Sequence, residues 1–311
     1  MKGLARIGTA AVVLTYLHLV FGGVVRITGS GMGCGDHWPR CNGSWIPPFT
    51  DTLVMIEWTH RLLALLVVLT IAGFAFTAWR RRAEPDVAGA RGVLRPAAIA
   101  LVLVVTVALL GMVTVKLGNS TFATLAHWTL AMALMAFLLA GTVRAGGLGG
   151  AAARAEGGSA RAMRSIAAGA VIAFITVVLG GLVAKYPGAN VACPGFPLCG
   201  DTPASVAAGA SHIQLTHRVL AYLLFFHALA VTMAVGRRAG ESAMVRRVLR
   251  IAAVLVVVQL VLGAGMVLMQ LHGHLRMSHQ AVGVAVWLML FLAAYLARVA
   301  QGNPRPTELA P

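Results

Sequence analysis

Charge is the scarcest property of this sequence. Only 11% of its 311 residues are Asp, Glu, Lys or Arg, and nine are acidic, whereas 59% are hydrophobic. A chain so poor in charge has too little polar surface to enclose its apolar residues in a water-soluble core, which excludes an ordinary soluble enzyme or binding module. Proline is missing from the middle of the apolar stretches. Pro187, Pro194, Pro197 and Pro203 fall in one connecting segment, and Pro47 and Pro48 in another. That absence argues against the discontinuous helices of many secondary transporters. Cysteine is limited to Cys34, Cys41, Cys193 and Cys199. Their Cys-x6-Cys and Cys-x5-Cys spacings are not zinc spacings, and His37 alone does not complete a site.

What the chain has instead is long apolar stretches. A helix needs about 20 residues to cross the hydrocarbon of a bilayer. Eight stretches qualify: 7–25, 56–78, 96–115, 122–143, 165–184, 212–235, 248–270 and 278–298. The first has the length of a signal peptide, but Gly22-Gly23-Val24-Val25-Arg26 offers no small-x-small cleavage site, so it is read as a helix. An eight-helix path puts eighteen of the 25 basic residues on one side, among them Lys2, Arg80-Arg81-Arg82, Arg144, Arg237-Arg238, Arg246-Arg247 and Arg298. Basic residues concentrate on the cytoplasmic side, so both termini are expected there. The net charge of +16 therefore orients the chain in the lipid bilayer and is not a nucleic-acid surface. The same path places all four cysteines on the outer, oxidising side and predicts disulfides within Cys34/Cys41 and Cys193/Cys199.

The sequence also repeats itself. Gly22-Gly23 corresponds to Gly180-Gly181 at an offset of 158, and Cys34 and Cys41 to Cys193 and Cys199 at 159 and 158. Glu57-Trp58-Thr59-His60-Arg61 corresponds to Gln214-Leu215-Thr216-His217-Arg218 at 157. Leu110-Gly111 and His127 correspond to Leu262-Gly263 and His279 at 152. Order is kept throughout, which a duplicated four-helix unit explains. Four is an even number, so both copies enter the membrane from the same side, as parallel repeats about an axis along the membrane normal. The expected fold is an all-α integral membrane protein whose eight transmembrane helices form two pseudo-symmetric four-helix bundles. Residues 1–145 form the amino-terminal bundle, 146–164 a cytoplasmic linker, 165–300 the carboxy-terminal bundle and 301–311 a disordered tail.

Polar residues within membrane helices are functional candidates by default. His60, His127, His217 and His279 each fall about one turn inside the outer end of an inward-running helix. The second and fourth helices of a copy run in the same direction and can lie diagonally across a four-helix core. Two imidazoles then face each other at one depth, which suits two axial ligands on a haem iron. Gly111 and Gly263 on flanking helices leave room for a flat ring. Zinc or copper wants more ligands than two histidines per bundle supply. A packing role serves a lone membrane histidine about as well, but four paired by repeat and depth point to haem. His18, His37, His212, His227, His272 and His274 lack that pairing and are read as solvated or structural. Glu57 is the one carboxylate near the hydrophobic layer, three positions before His60 and so on nearly the same helical face. A solvated residue favourable to the helix dipole is the plainer alternative. The repeat, however, places Gln214 there. Copies that diverge at one ionisable residue point to divided labour, with chemistry in the first bundle and a fixed redox cofactor in the second.

Glu57-x-x-His60-Arg61, His127-Trp128, Thr216-His217-Arg218 and His279, set in eight predicted helices in two halves, make the chain resemble the haem A synthase family over essentially its whole length. The outer cysteine pairs make it similar to bacterial members. The resemblance implies an oxidoreductase that converts the C8 methyl group of haem O into a formyl group, giving haem A for cytochrome oxidase. It implies that His217 and His279 ligate a resident haem b, that His60 and His127 line the site of the substrate haem O, and that Glu57 is catalytic. The Cys34–Cys41 pair would lie in the loop covering that site. A place in the bacterial inner membrane and a haem O synthase as partner follow from the same resemblance. Small residues along the helices support association as a homo-oligomer, although no single motif stands out. Two other readings remain. A two-haem electron-transfer protein between a quinol and an outer acceptor would use the same ligands, with Glu57 as the quinol's proton acceptor. A haem or metal transporter lacks the broken helices it would need. The Glu57/Gln214 asymmetry, which a symmetric electron wire does not require, favours the synthase.

Overall fold

The computed structural model describes residues 1–201 and 209–301. Of the tail expected to be disordered, 301–311, residues 302–311 lie outside them, as does Pro203. Among the described residues there is no β-strand. The helices are α1 (Lys2–Thr28), α2 (Thr52–Arg80), α3 (Pro85–Ala88), α4 (Leu94–Lys116), α5 (Thr121–Arg144), α6 (Gly150–Glu156), α7 (Ala160–Lys185), α8 (Ala210–Gly236), α9 (Ala243–Leu268) and α10 (Gly273–Ala300). All but α3 and α6 are long and apolar enough to cross a membrane, so this is a multi-pass membrane protein. Most of the eight run past their expected limits. Hydropathy marks only the apolar middle of a helix, whereas backbone hydrogen bonding carries α1 back through Arg6 to Lys2 and α9 back through Arg247 to Ala243. Leu65, Leu66, Leu69 and Phe76 of α2 stay exposed on the protein surface. Lipid, which is as apolar as these side chains, covers them at no cost.

The chain divides into two compact units, Met1–Leu148 and Gly149–Pro311. In the first, α1 and α4 each pack against both α2 and α5, which closes a four-helix ring with α2 and α5 on its diagonal. Close approach is built in. A Cβ at Gly8 of α1 would stand 2.5 Å from Thr142 Oγ1 of α5. Phe74, Ile71, Met132, Met135, Leu138 and Leu139 are fully or almost fully buried. In the second unit α7 and α9 each pack against both α8 and α10, so α8 and α10 take the diagonal. The segment 146–164 is not plain linker. It contains α6, which packs on α9 and α10, and the first turn of α7.

Two carboxylates fasten the helix starts in the second unit. Ser242 caps α9 by accepting the Val245 N–H at 3.2 Å, and its hydroxyl donates to Glu156 Oε2 at 2.6 Å. The Met244 N–H donates to the same oxygen at 3.1 Å. Ser159, the N-cap of α7, donates its hydroxyl to Glu241 Oε1 and its backbone N–H to Oε2 at 3.2 Å. A negative group at a helix start also meets the positive end of the helix dipole. The bonds from Ser242 and Met244 hold the Glu156 carboxyl below its ordinary value of 4.5. A lowered folded-state value means the stabilisation is complete above about pH 4.5 and disappears as pH falls through the lower folded value. Glu156→Gln should therefore melt below wild type at neutral pH. Thermal unfolding in detergent should show the two curves converging as the pH is taken below 4.

Candidate functional site

His60, His127, His217 and His279 lie six to eight residues after the starts of α2, α5, α8 and α10. That is about two turns inside each helix, one turn deeper than hydropathy suggested, because each helix begins earlier. All four are on the diagonal helices of their ring. Each imidazole rests on a glycine of an adjacent helix. A Cβ would stand 3.4 Å from His60 Cε1 at Gly22, 3.1 Å from His127 Cε1 at Gly111, 3.0 Å from His217 Cε1 at Gly180 and 3.2 Å from His279 Cε1 at Gly263. His60 and His127 lie on the two diagonal helices of the first ring, and His217 and His279 on those of the second. Each ring thus brings its two expected histidines together.

The ring nitrogens show how each imidazole is aimed. His127 Nδ1 lies 3.0 Å from the Val107 carbonyl and His217 Nδ1 3.0 Å from the Thr176 carbonyl. In both cases the carbonyl belongs to the residue four before the seating glycine. A carbonyl can only accept, so Nδ1 carries the proton and Nε2 keeps a free lone pair. A metal-bound histidine is usually held in this way by its other nitrogen. His60 and His279 differ, because the residue four before their glycine, His18 or Gln259, places a large polar side chain against the ring. His18 stacks on His60 with ring centroids 4.2 Å apart and planes at 16°. Gln259 Nε2 donates to His279 Nε2 at 3.2 Å.

Glu57 and Gln214 anchor the outer loops. Glu57 is 3% exposed, and a carboxylate so buried needs partners. Oε2 accepts the Cys34 N–H at 2.8 Å, and Oε1 accepts from the Arg61 guanidinium at 2.5 Å. Arg61 also donates to the carbonyls of His37 and Arg40, each at 2.9 Å. In the second unit Gln214 Oε1 accepts the Cys193 N–H at 2.7 Å. There Arg218 donates to the carbonyls of Gly195, Leu198 and Cys193, each at 2.6 Å. Both cysteine pairs are bridged, Cys34–Cys41 and Cys193–Cys199. Gly33 lies so close to α2 that a Cβ would stand 2.5 Å from the Leu53 carbonyl oxygen. Each disulfide loop is thereby held over the start of the helix that carries His60 or His217.

This donor set suits haem. The macrocycle supplies four of the six iron ligands, so two imidazoles complete the sphere. Among the described residues no three His, Cys, Asp or Glu side chains converge, so a bare zinc or copper ion lacks the ligands it wants.

Three features were not recognised from the sequence. His18, expected to be solvated or structural, lies against His60. Arg61 and Arg218 tie the loops, and Gln259 meets His279. The signal was available: positions 18 and 259 each fall four residues before a repeat-paired glycine, and each Arg sits one turn after the residue that binds the cysteine N–H. His227 has the same kind of seat, with a Cβ at Gly169 3.1 Å from its Cδ2 and its Nε2 2.9 Å from the Ser165 carbonyl, but it has no histidine counterpart in the repeat and is structural. Gly180→Ala should push His217 off the Thr176 carbonyl. Losing such a support costs roughly 10–100-fold in metal affinity, which haem content per chain, measured by pyridine haemochrome, should reveal.

Comparison with known proteins bears on both units. A family described as cytochrome oxidase assembly protein matches residues 5–291. The heme A synthase of Geobacillus kaustophilus is 28% identical over 309 residues, covering 97% of this chain and 96% of that protein. The heme A synthase of Shouchella clausii is 31% identical over 230 residues, covering 72% and 73%. That of Bacillus licheniformis is 26% identical over 306 residues, covering 96% and 98%. Since the family match takes in all four glycine-seated histidines and both anchored loops, the chain belongs to the haem A synthase family of cytochrome oxidase assembly proteins.

Proposed function

We propose that the chain is a haem A synthase of the bacterial cell membrane. It takes haem O as substrate and oxidises the C8 methyl group to a formyl group, giving haem A for cytochrome oxidase. The observation that carries this reading is the set of four imidazoles, each seated on a glycine at equivalent places in two units. In each unit one of them, His127 or His217, is held at Nδ1, which leaves Nε2 a free lone pair for ligation. The first unit is the substrate site, with His60 and His127 beside haem O. The second holds haem b between His217 and His279, where ligation at His279 replaces its bond to Gln259. A bound haem b supplies one-electron redox chemistry. The charge asymmetry supports cytoplasmic termini, and the apolar substrate supports delivery within the bilayer by a haem O synthase. Abundant small residues on the helices support association as a homo-oligomer.

Glu57 has two duties in this reading. It anchors the Cys34–Cys41 loop, and it is the carboxylate one helical turn from His60, placed to accept a proton as the methyl group is oxidised. The second unit separates these duties, because Gln214 anchors its loop with no charge. Glu57→Gln should therefore keep the loop and the haem b of the second unit while lowering turnover by about 100-fold or more. Glu57→Ala should in addition leave the Cys34 N–H without its acceptor, at about 1–3 kcal/mol, and open the disulfide to reductant. The assay is co-expression with a haem O synthase in a host lacking haem A, followed by haem extraction, chromatography and mass analysis. Haem A in the wild type, lost in Glu57→Gln, supports the proposal. Wild-type turnover in Glu57→Gln reduces Glu57 to a loop anchor. Recovery of two haem b per chain, whatever the haem O supply, overturns the synthase reading in favour of electron transfer.

A further inference from the structure

His18 is half-buried on α1, stacked on a proposed ligand and used by nothing described so far. Its counterpart in the repeat is Thr176, four residues before Gly180 as His18 is four before Gly22. In the second unit the small Thr176 side chain lets His217 swing onto the residue's own carbonyl and donate Nδ1–H to it at 3.0 Å. In the first unit the His18 ring occupies that approach. The two imidazoles lie face to face at 4.2 Å, and Phe21 adds a second near-parallel ring, 6.3 Å from His60 at 14°. Nδ1 of His60 and Nδ1 of His18 are both buried without a hydrogen-bond partner among the described residues, as is Nδ1 of His279 in the second unit. His60 is thus oriented by stacking alone, whereas His127 across the same ring is hydrogen-bonded to Val107.

A ligating imidazole whose second nitrogen donates to a carbonyl is more basic and more rigidly aimed than one without that bond. We propose that His18 is a positioning residue that denies His60 the carbonyl bond made by its repeat counterpart His217, and so keeps His60 a weaker, more exchangeable ligand than His217, which eases release of haem from the first unit. The inference rests on the reading of the first unit as the haem O site. It also fits the chemistry, because a substrate site must let its product go and a cofactor site must not.

The test uses the full chain, purified in detergent after co-expression with a haem O synthase, in wild type, His18→Thr, His18→Phe and His60→Ala forms. Excess apomyoglobin captures released haem, and extraction identifies it as haem O or haem b. His18→Thr copies the second unit and frees the carbonyl of residue 18 for His60 Nδ1. It should slow haem O release at least tenfold and move the ferric low-spin resonance of that haem. His18→Phe keeps a flat ring over His60 and should release haem O at the wild-type rate, which a general packing defect would not do. Haem b release should be the same in wild type and both His18 variants. If His18→Thr releases haem O as fast as wild type while His60→Ala changes the haem O spectrum, the inference is overturned and the site assignment stands. If His60→Ala leaves haem O bound with an unchanged spectrum, the site assignment falls and the inference falls with it.

Discussion

The contact between an imidazole and a glycine on the neighbouring helix organises each unit. Helices that pack through ordinary side chains stand 8–10 Å apart, and a ring the size of histidine would be squeezed out or forced into a poor rotamer. Removing one Cβ at Gly22, Gly111, Gly180 or Gly263 opens a slot about one imidazole deep, with the ring edge 3.0–3.4 Å from where that Cβ would be. The slot sets the depth of the histidine and the face it presents. At Gly111 and Gly180 it also brings the carbonyl four residues earlier into reach of Nδ1, because that carbonyl lies one turn away on the same face. In a medium with no water to satisfy them, such partners lower the cost of a buried polar ring. At His127 and His217 the seat and the tautomer, with its free Nε2 lone pair, therefore follow from a single missing methyl group.

The outer loops are governed by a second local rule. One turn before His60 or His217, a side-chain oxygen accepts the N–H of the first cysteine of the loop, and one turn after that oxygen an arginine gathers loop carbonyls. Short disulfide loops expose many unpaired backbone groups, and a guanidinium with five donors satisfies several of them at once. The same frame accepts either Glu or Gln at the anchor. With Gln214, Arg218 spends its donors on three carbonyls. With Glu57, Arg61 turns one of them to the carboxylate. A buried charge is thus accommodated in the first unit with little change to the loop, and the two units can share an architecture while differing in chemistry. The divergence at His18/Thr176 obeys the same logic, since one side chain changes and the supporting helix pair does not.

Eight spans, the repeat, the paired histidines and both cysteine bridges were legible in the sequence, because each depends on local composition or on positions a few residues apart. Apolar length determines a membrane helix wherever it later packs, and a cysteine pair six or seven residues apart can close its own loop. The assignment of two imidazoles per unit to diagonal helices also follows from the order of four consecutive spans. Tertiary structure alone decided what stands beside each imidazole. His18 meets His60 across 42 residues of chain and Gln259 meets His279 across 20, contacts set by the rotation and spacing of packed helices, which no periodicity records. It likewise decided that Glu57 faces Cys34 and Arg61 rather than open water, because the loop that covers it is shaped by hydrogen bonds between residues distant in the chain. Hydropathy specifies that a helix is buried in lipid. Which of its polar atoms are satisfied, and by whom, is settled only when the neighbouring helix is in place.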